Sequence, residues 1–264
     1  MARVQGHGAG APGDIRERAE DEARTRLEEE GEKIRGLGGK IAKVHARAGN
    51  PDAEIVAVAE KIDAGLVVLG SRGLGPVRRV VMGSVSASVL HHSHGSVLIV
   101  RDGGKEDDHL SDPVLLAVDG SREAEVATEA AATISSATAS GLHVVFVLPT
   151  AEYLYGYHFY TGEIQQSIRE QAEEEARRLL TERAEQIEAH GGKVEDTHVV
   201  SGRPDAQIVK LGEELRVGLT VVGSRGLGGV GRALMGSVSG SVVRHANGPV
   251  FVVRSEEGEE SGEA

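Results

Sequence analysis

The sequence predicts an α/β protein, an open parallel sheet covered by helices on both faces, complete in the second half of the chain and incomplete in the first. Three observations carry that expectation. Short apolar runs of strand length alternate with longer helix-forming segments, the pattern of a parallel sheet buried on both faces. A glycine-rich stretch, Gly223 to Ser239 (GSRGLGGVGRALMGSVS), joins one such run to a helix, and α/β proteins hold phosphates at such junctions. The same stretch stands earlier, Gly70 to Ser86 (GSRGLGPVRRVVMGSVS), with 13 of 17 positions identical.

Taken in order, residues 1–12 are rich in glycine and alanine and are expected to be disordered. Asp14 to Arg35 is a polar helix stopped by Gly36, Gly38 and Gly39. Lys40 to Ala48 alternates and predicts a half-buried strand; Gly49-Asn50-Pro51-Asp52 is a turn, with Pro51 suited to a first helical position. Ala53 to Ile62 carries apolar residues at helical spacing, and Leu66 to Leu69 is a short buried strand. The first glycine loop leads to a helix, Ser84 to His92, and a strand, Val97 to Val100.

A charged linker follows, and then elements without an earlier counterpart: a strand over Pro113 to Val118, ending in Asp119-Gly120-Ser121, a helix from Glu123 to Ile134 with Ser121 as its N-cap, and a strand from His143 to Leu148. All four tyrosines fall in the next segment, Tyr153 to Tyr160, read as a lid, a partner surface or a local packing cluster. After it the earlier order returns: a long charged helix (Glu163 to Ala189), a strand (Lys193 to Val200), a helix (Ala206 to Leu215), a strand (Leu219 to Val222), the loop, a helix and a last strand (Val250 to Val253).

The two copies share one offset. Pro51 and Pro204, Gly73 and Gly226, Ser84 and Ser237, and Arg101 and Arg254 all stand 153 residues apart. Met1 then corresponds to Leu154, so the first copy lacks any counterpart of residues 113–153. The expected organisation is an incomplete domain at 1–104, a linker at 105–112, a complete domain at 113–256 and an acidic tail at 257–264. A natural start upstream of Met1 is the expectation that the missing third raises.

Composition narrows the function. The 264 residues are 39% hydrophobic and 27% charged, which suits a globular chain with a real core. A net charge of −12 disfavours a nucleic-acid partner, which would need a basic surface. No cysteine is present, so disulfides, thiol catalysis and cysteine-held metals are excluded. The N-terminus lacks the apolar core of a secretory signal, and no apolar run approaches the roughly 18–20 residues of a membrane span, so the expected location is cytoplasmic.

The loop chemistry points to an anion. Each copy has the spacing Gly-x2-Gly-x9-Gly-Ser. Gly223 and Gly226 let the backbone turn and approach a ligand, while Gly236 and Ser237 open a helix whose N–H groups favour negative charge. Arg225 and Arg232 add positive charge. Asp119, at the end of the first strand of that half, is an acceptor for a ribose hydroxyl or a base amine. The loop is not a Walker A motif, because it has no Gly-Lys-Ser/Thr. Histidines 91, 92 and 94 stand at a predicted helix end and are read as surface residues rather than metal ligands.

VDGS after a first strand, followed by GSRGLGGVGRALMGSVS, resembles the ATP-binding branch of the universal stress protein family. The resemblance spans residues 113–254 and the latter two thirds of a second copy at about 14–101. It implies a Rossmann-like five-stranded sheet of order 3-2-1-4-5, with ATP, alone or with Mg2+, between strands 1 and 4. By position, Asp119 and Val147 contact the nucleoside, and Gly223, Gly226, Gly236, Ser237 and Val238 hold the phosphates. The first copy keeps Gly70, Gly73, Gly83 and Ser84 but has nothing matching Asp119 or Val147, so its site is doubtful. The resemblance further implies a stress-response or signalling role and a pseudo-dimer in which Val97–Val100 meets Val250–Val253; a homodimer is a further expectation. Two alternatives stand beside it: a slow ATP-hydrolysing or nucleotidyl-transfer enzyme, and a nucleotide-free interaction module.

Overall fold

The structure is a computed structural model that describes residues 12–71, 82–101, 112–149, 162–227 and 235–255. The expectations for residues 1–11, for Gly73, Arg232 and the tyrosine-rich segment, for most of the linker and for the acidic tail lie outside the described residues. The chain forms two compact units, Met1–Ile62 and Asp63–Ala264.

The first unit holds α1 (Pro12–Gly36) and α2 (Pro51–Lys61), joined by residues 37–50. Pro51 stands in the first turn of α2, where a missing N–H costs nothing. The strand expected over 40–48 does not form. A strand is completed by its neighbour, and alternation alone supplies none. The equivalent residues of the second repeat, 193–201, form β5 by pairing with β4, whose counterpart the first repeat lacks.

The second unit holds seven strands: β1 (Leu66–Gly70), β2 (Ser96–Val100), β3 (Val114–Val118), β4 (Gly141–Leu148), β5 (Lys193–Ser201), β6 (Leu219–Gly223) and β7 (Val250–Val253). They make one sheet in the order β1-β2-β7-β6-β3-β4-β5. Within the second repeat this is the expected 3-2-1-4-5 order, all parallel. The sheet is continued by the last strands of the two repeats, which pair antiparallel with Val97 opposite Val252 and Ile99 opposite Val250.

Five helices cover this sheet: α3 (Ser84–His92), α4 (Arg122–Thr138), α5 (Gly162–Ala189), α6 (Pro204–Glu214) and α7 (Ser237–His245). α4 buries Ala124, Ala127, Thr128, Ala131, Ala132 and Ser135, a stripe of small side chains at helical spacing. Ser121 caps it by accepting from the Ala124 N–H at 3.2 Å, and Ala139 ends it in the left-handed region at φ 56°. One core on each sheet face results. Leu115, Val145, Ile208, Val222 and Val242 lie on one, and Leu116, Ala131, Val144, Leu180 and Val221 on the other.

A reciprocal pair of arginines joins the repeats at the β2–β7 seam. Arg101 donates to the carbonyls of Val243 and Arg244 in α7, and Arg254 donates to the Leu90 carbonyl in α3 at 2.9 Å. Donors and acceptors follow the 153-residue offset, so the contact is isologous within one chain. Each guanidinium meets carbonyls in the last turn of a helix, where the dipole favours a cation. β1 was expected to be buried; instead Leu66 and Val68 are 46% and 55% exposed, because they share one sheet face and the helix that covers their β6 counterparts Leu219 and Val221, α4, has no equivalent among the described residues of the first repeat.

Candidate functional site

The adjacent parallel strands β3 and β6 bring the two candidate segments together at their carboxyl ends. Asp119 leaves β3, and its carboxylate is held from two sides. Oδ1 accepts from the Ser121 N–H at 3.0 Å, and Oδ2 accepts from the Leu227 N–H of the glycine loop at 3.2 Å. Gly120 makes the turn between them with φ 82°, a conformation that favours glycine. Two sequence-predicted elements, Asp119 and the loop, are therefore in direct contact.

Gly226 is fixed by that contact. A Cβ there would stand 2.3 Å from Asp119 Oδ2, so any side chain drives the loop off the carboxylate. Gly223 has a different reason. Its Cβ would meet the Glu123 backbone carbon at 2.9 Å and the Ala124 nitrogen at 3.1 Å, so this glycine admits the first turn of α4 against the end of β6. Gly236 sits 3.2 Å, measured from its would-be Cβ, from the Ser224 carbonyl.

The base of the loop is a small backbone frame. Ser224 donates its N–H to Val253 at 2.7 Å and accepts from the Gly236 N–H at 2.8 Å. Ser239, 5% exposed, donates its hydroxyl to the Gly223 carbonyl at 2.6 Å. Gly236 is the N-cap of α7 and no side chain caps it; Ser237 is exposed and Val238 half-buried at its first turn. A helix start without a side-chain cap can offer N–H groups to an anion.

Arg225 is already engaged. Its guanidinium meets Glu123 at 2.7 and 2.8 Å with both side chains largely buried, so it does not stand ready for a phosphate as its position suggested. Glu123 is a residue that sequence reasoning missed, since nothing in the spacing links positions 123 and 225. Ser239 was also missed, although the Gly-Ser-Val-Ser identity of the two copies carried its signal. Val147 lies at the carboxyl end of β4 and is 9% exposed, packed in the core beneath the site. Below the loop, burial and the neighbouring Arg225 cation push the Arg254 guanidinium below its ordinary pKa.

The first repeat reproduces the frame and not the site. Ser86 donates to the Gly70 carbonyl at 2.8 Å, the Gly83 N–H donates to Ser71 at 2.8 Å, and the Ser71 N–H donates to Val100 at 2.8 Å. Gly83 is the N-cap of α3, again without a side-chain cap, and Ser84 is exposed. Among the described residues no strand lies beside β1 in the position that β3 takes beside β6.

A model described as the universal stress protein family matches residues 3–101 and 111–254. The chain belongs to the universal stress protein family. A Mycolicibacterium smegmatis universal stress protein is 36% identical over 195 residues, covering 72% of this chain and 62% of the relative. A Mycobacterium tuberculosis universal stress protein is 35% identical over 194 residues, covering 73% of this chain and 62% of the relative. The chain thus spans less than two thirds of the length of these curated relatives. A solved universal stress protein from Archaeoglobus fulgidus matches 94% of this chain and 83% of its own, at a TM-score of 0.67 and 29% identity. No helix among the described residues is long and apolar enough to cross a membrane.

Proposed function

We propose that this universal stress protein binds ATP or a related adenine nucleotide at a single site in its second repeat, and that occupancy alters its conformation or choice of partner in a stress response. One observation carries the reading: the Asp119 carboxylate and the Gly223–Leu227 backbone, 104 to 108 residues apart in sequence, meet at the carboxyl ends of adjacent strands. Such a crevice is where open α/β sheets bind ligands.

The residues suit the parts of a nucleotide. Asp119 has spare lone pairs beyond the two N–H groups it accepts, enough for a ribose hydroxyl or base amine. Gly226 leaves the backbone open to close approach, and the N–H groups of Ser237 and Val238 begin an uncapped helix suited to phosphate oxygens. Mg2+, when carried by the nucleotide, supplies charge neutralisation for the triphosphate. Val147 supports the nucleoside end from below. Arg225 serves by holding the lip to Glu123 rather than by direct contact. The first-repeat residues Gly70, Gly73, Gly83 and Ser84 lack the opposite lip and carry no nucleotide on this reading.

The test is to denature the purified protein, identify released nucleotide, and repeat with Gly226→Val. Adenine nucleotide in the first sample and none in the second is the expected result. Absence from both, with no ATP binding by calorimetry, overturns the reading in favour of an interaction module. Multiple-turnover phosphate release abolished by Gly226→Val would point instead to a hydrolase.

A further inference from the structure

A second cluster of chemistry-bearing side chains lies on β4 and β5, away from the nucleotide crevice. His143 is the third residue of β4, five residues before its carboxyl end at Leu148, so it stands roughly 16 Å from the nucleotide end of the sheet at ~3.3 Å per residue. His143 Nδ1 and His198 Nε2 approach to 3.1 Å, with side chains only 13% and 18% exposed. Two carboxylates join them. Glu195 Oε2 is 3.5 Å from His143 Nε2, and Asp196 Oδ2 is 4.0 Å from His198 Nε2.

The backbone is shaped for this grouping. Leu142 pairs with Val194 and His143 with Asp196, so Glu195 is an extra residue in a β-bulge opposite the histidine. Bulges re-aim side chains, and they concentrate at sites. Gly141 adds the complement: a Cβ there would lie 2.0 Å from the Glu195 carboxyl carbon, so the glycine clears the path by which Glu195 reaches His143.

We propose that His143 and His198, with Asp196 as third ligand, form a binding site for one divalent transition-metal cation of the Zn2+ type, with water completing the shell. Two imidazole nitrogens each about 2.1 Å from zinc and 3.1 Å apart subtend about 95° at the metal, within reach of tetrahedral geometry after a small opening. A metal-bound imidazole usually gives its other N–H to a carboxylate, and Glu195 occupies that place for His143. Imidazole with carboxylate selects zinc-like cations over the harder calcium and magnesium. As they stand, no three such side chains among the described residues are placed to hold a metal ion, so the site forms only when Asp196, 65% exposed, swings inward on binding.

The test uses the untagged, metal-free full chain titrated with ZnCl2 and followed by 15N imidazole resonances. The expected result is saturation at one Zn2+ per chain, with shifts at His143 Nδ1 and His198 Nε2 that EDTA reverses. His198→Gln should weaken binding by at least tenfold and Asp196→Asn by about tenfold, while replacing His91, His92 and His94 together leaves the affinity unchanged. The wild-type titration alone decides the matter if a variant fails to fold. Shifts confined to the histidines at positions 91, 92 and 94, or no shift at His143 and His198 up to 1 mM Zn2+, overturn the proposal and leave the pair as a shared-proton contact.

Discussion

The two glycine loops are nearly the same sequence in unequal surroundings. Both close the same serine frame at the end of a strand and both open an uncapped helix. β6 has β3 on one side and β7 on the other, so it is buried along its length and its loop faces Asp119. Among the described residues β1 has only β2 beside it, and three of its five residues are exposed. The loop motif and its serine frame recur in both repeats, whereas the contact with a carboxylate from a neighbouring strand is made in the second. On the proposed reading, local sequence identity does not carry the nucleotide site from one repeat to the other.

The largest expected effect comes from breaking the contact between lips. Gly226→Val places a side chain where Asp119 Oδ2 now lies and should lower ATP affinity by at least 100-fold in calorimetry. Gly73→Val, the same change in the first repeat, should leave that affinity within twofold. Equal losses from both would show that the loops act together.

Next in size is the packing glycine. Gly223→Ala sets a methyl against the backbone of Glu123 and Ala124 and should cost about 1–3 kcal/mol of stability by denaturant unfolding. The serine frames give a direct contrast between repeats. Ser239→Ala leaves the Gly223 carbonyl without its buried donor and should cost about 1–2 kcal/mol. Ser86→Ala should cost about 0.5 kcal/mol, because Gly70 is exposed and water can replace the hydroxyl. A reversed order would contradict the difference in burial.

A pH dependence confined to the second repeat is a further contrast. Asp205 is held at a pKa of about 2, chiefly by Arg203, which it meets at 2.8 and 2.9 Å, with Ser241 donating a further bond at 2.6 Å. Its folded pKa is lower than the unfolded value near 3.8, so its stabilisation is fully present above pH ~4 and is lost as pH falls toward 2. Because Arg203 is 61% exposed, the contribution is about 1–2 kcal/mol. Asp205→Asn should flatten the stability profile between pH 4 and 2. The first repeat keeps Asp52 but has Asn50 in place of Arg203.

Much of this was legible in the sequence because the signals were local or repeated. The 153-residue offset sets out the element order, and the sequence singles out Asp119 and Gly226, two residues that the fold brings together. The failures share one physical cause, dependence on partners distant in sequence. The alternation of residues 40–48 is a strand's, yet the ladder that would complete it is missing. Arg225 read as positive charge for the loop, and its pairing with Glu123 was not legible because that partner lies 102 residues away. Gly223 read as a ligand-facing glycine, whereas the first turn of α4 is what requires it. The reciprocal arginines were visible as a matched pair, but their acceptors are helix-end carbonyls, which no side-chain pattern marks.

The central claim, one complete nucleotide site beside one incomplete copy, is tested most directly by the stoichiometry of ATP binding to nucleotide-free protein in calorimetry. The account predicts one ATP per chain, abolished by Asp119→Ala and untouched by Gly73→Val. Two ATP per chain, or a single site that survives Asp119→Ala and disappears with Gly73→Val, would contradict it.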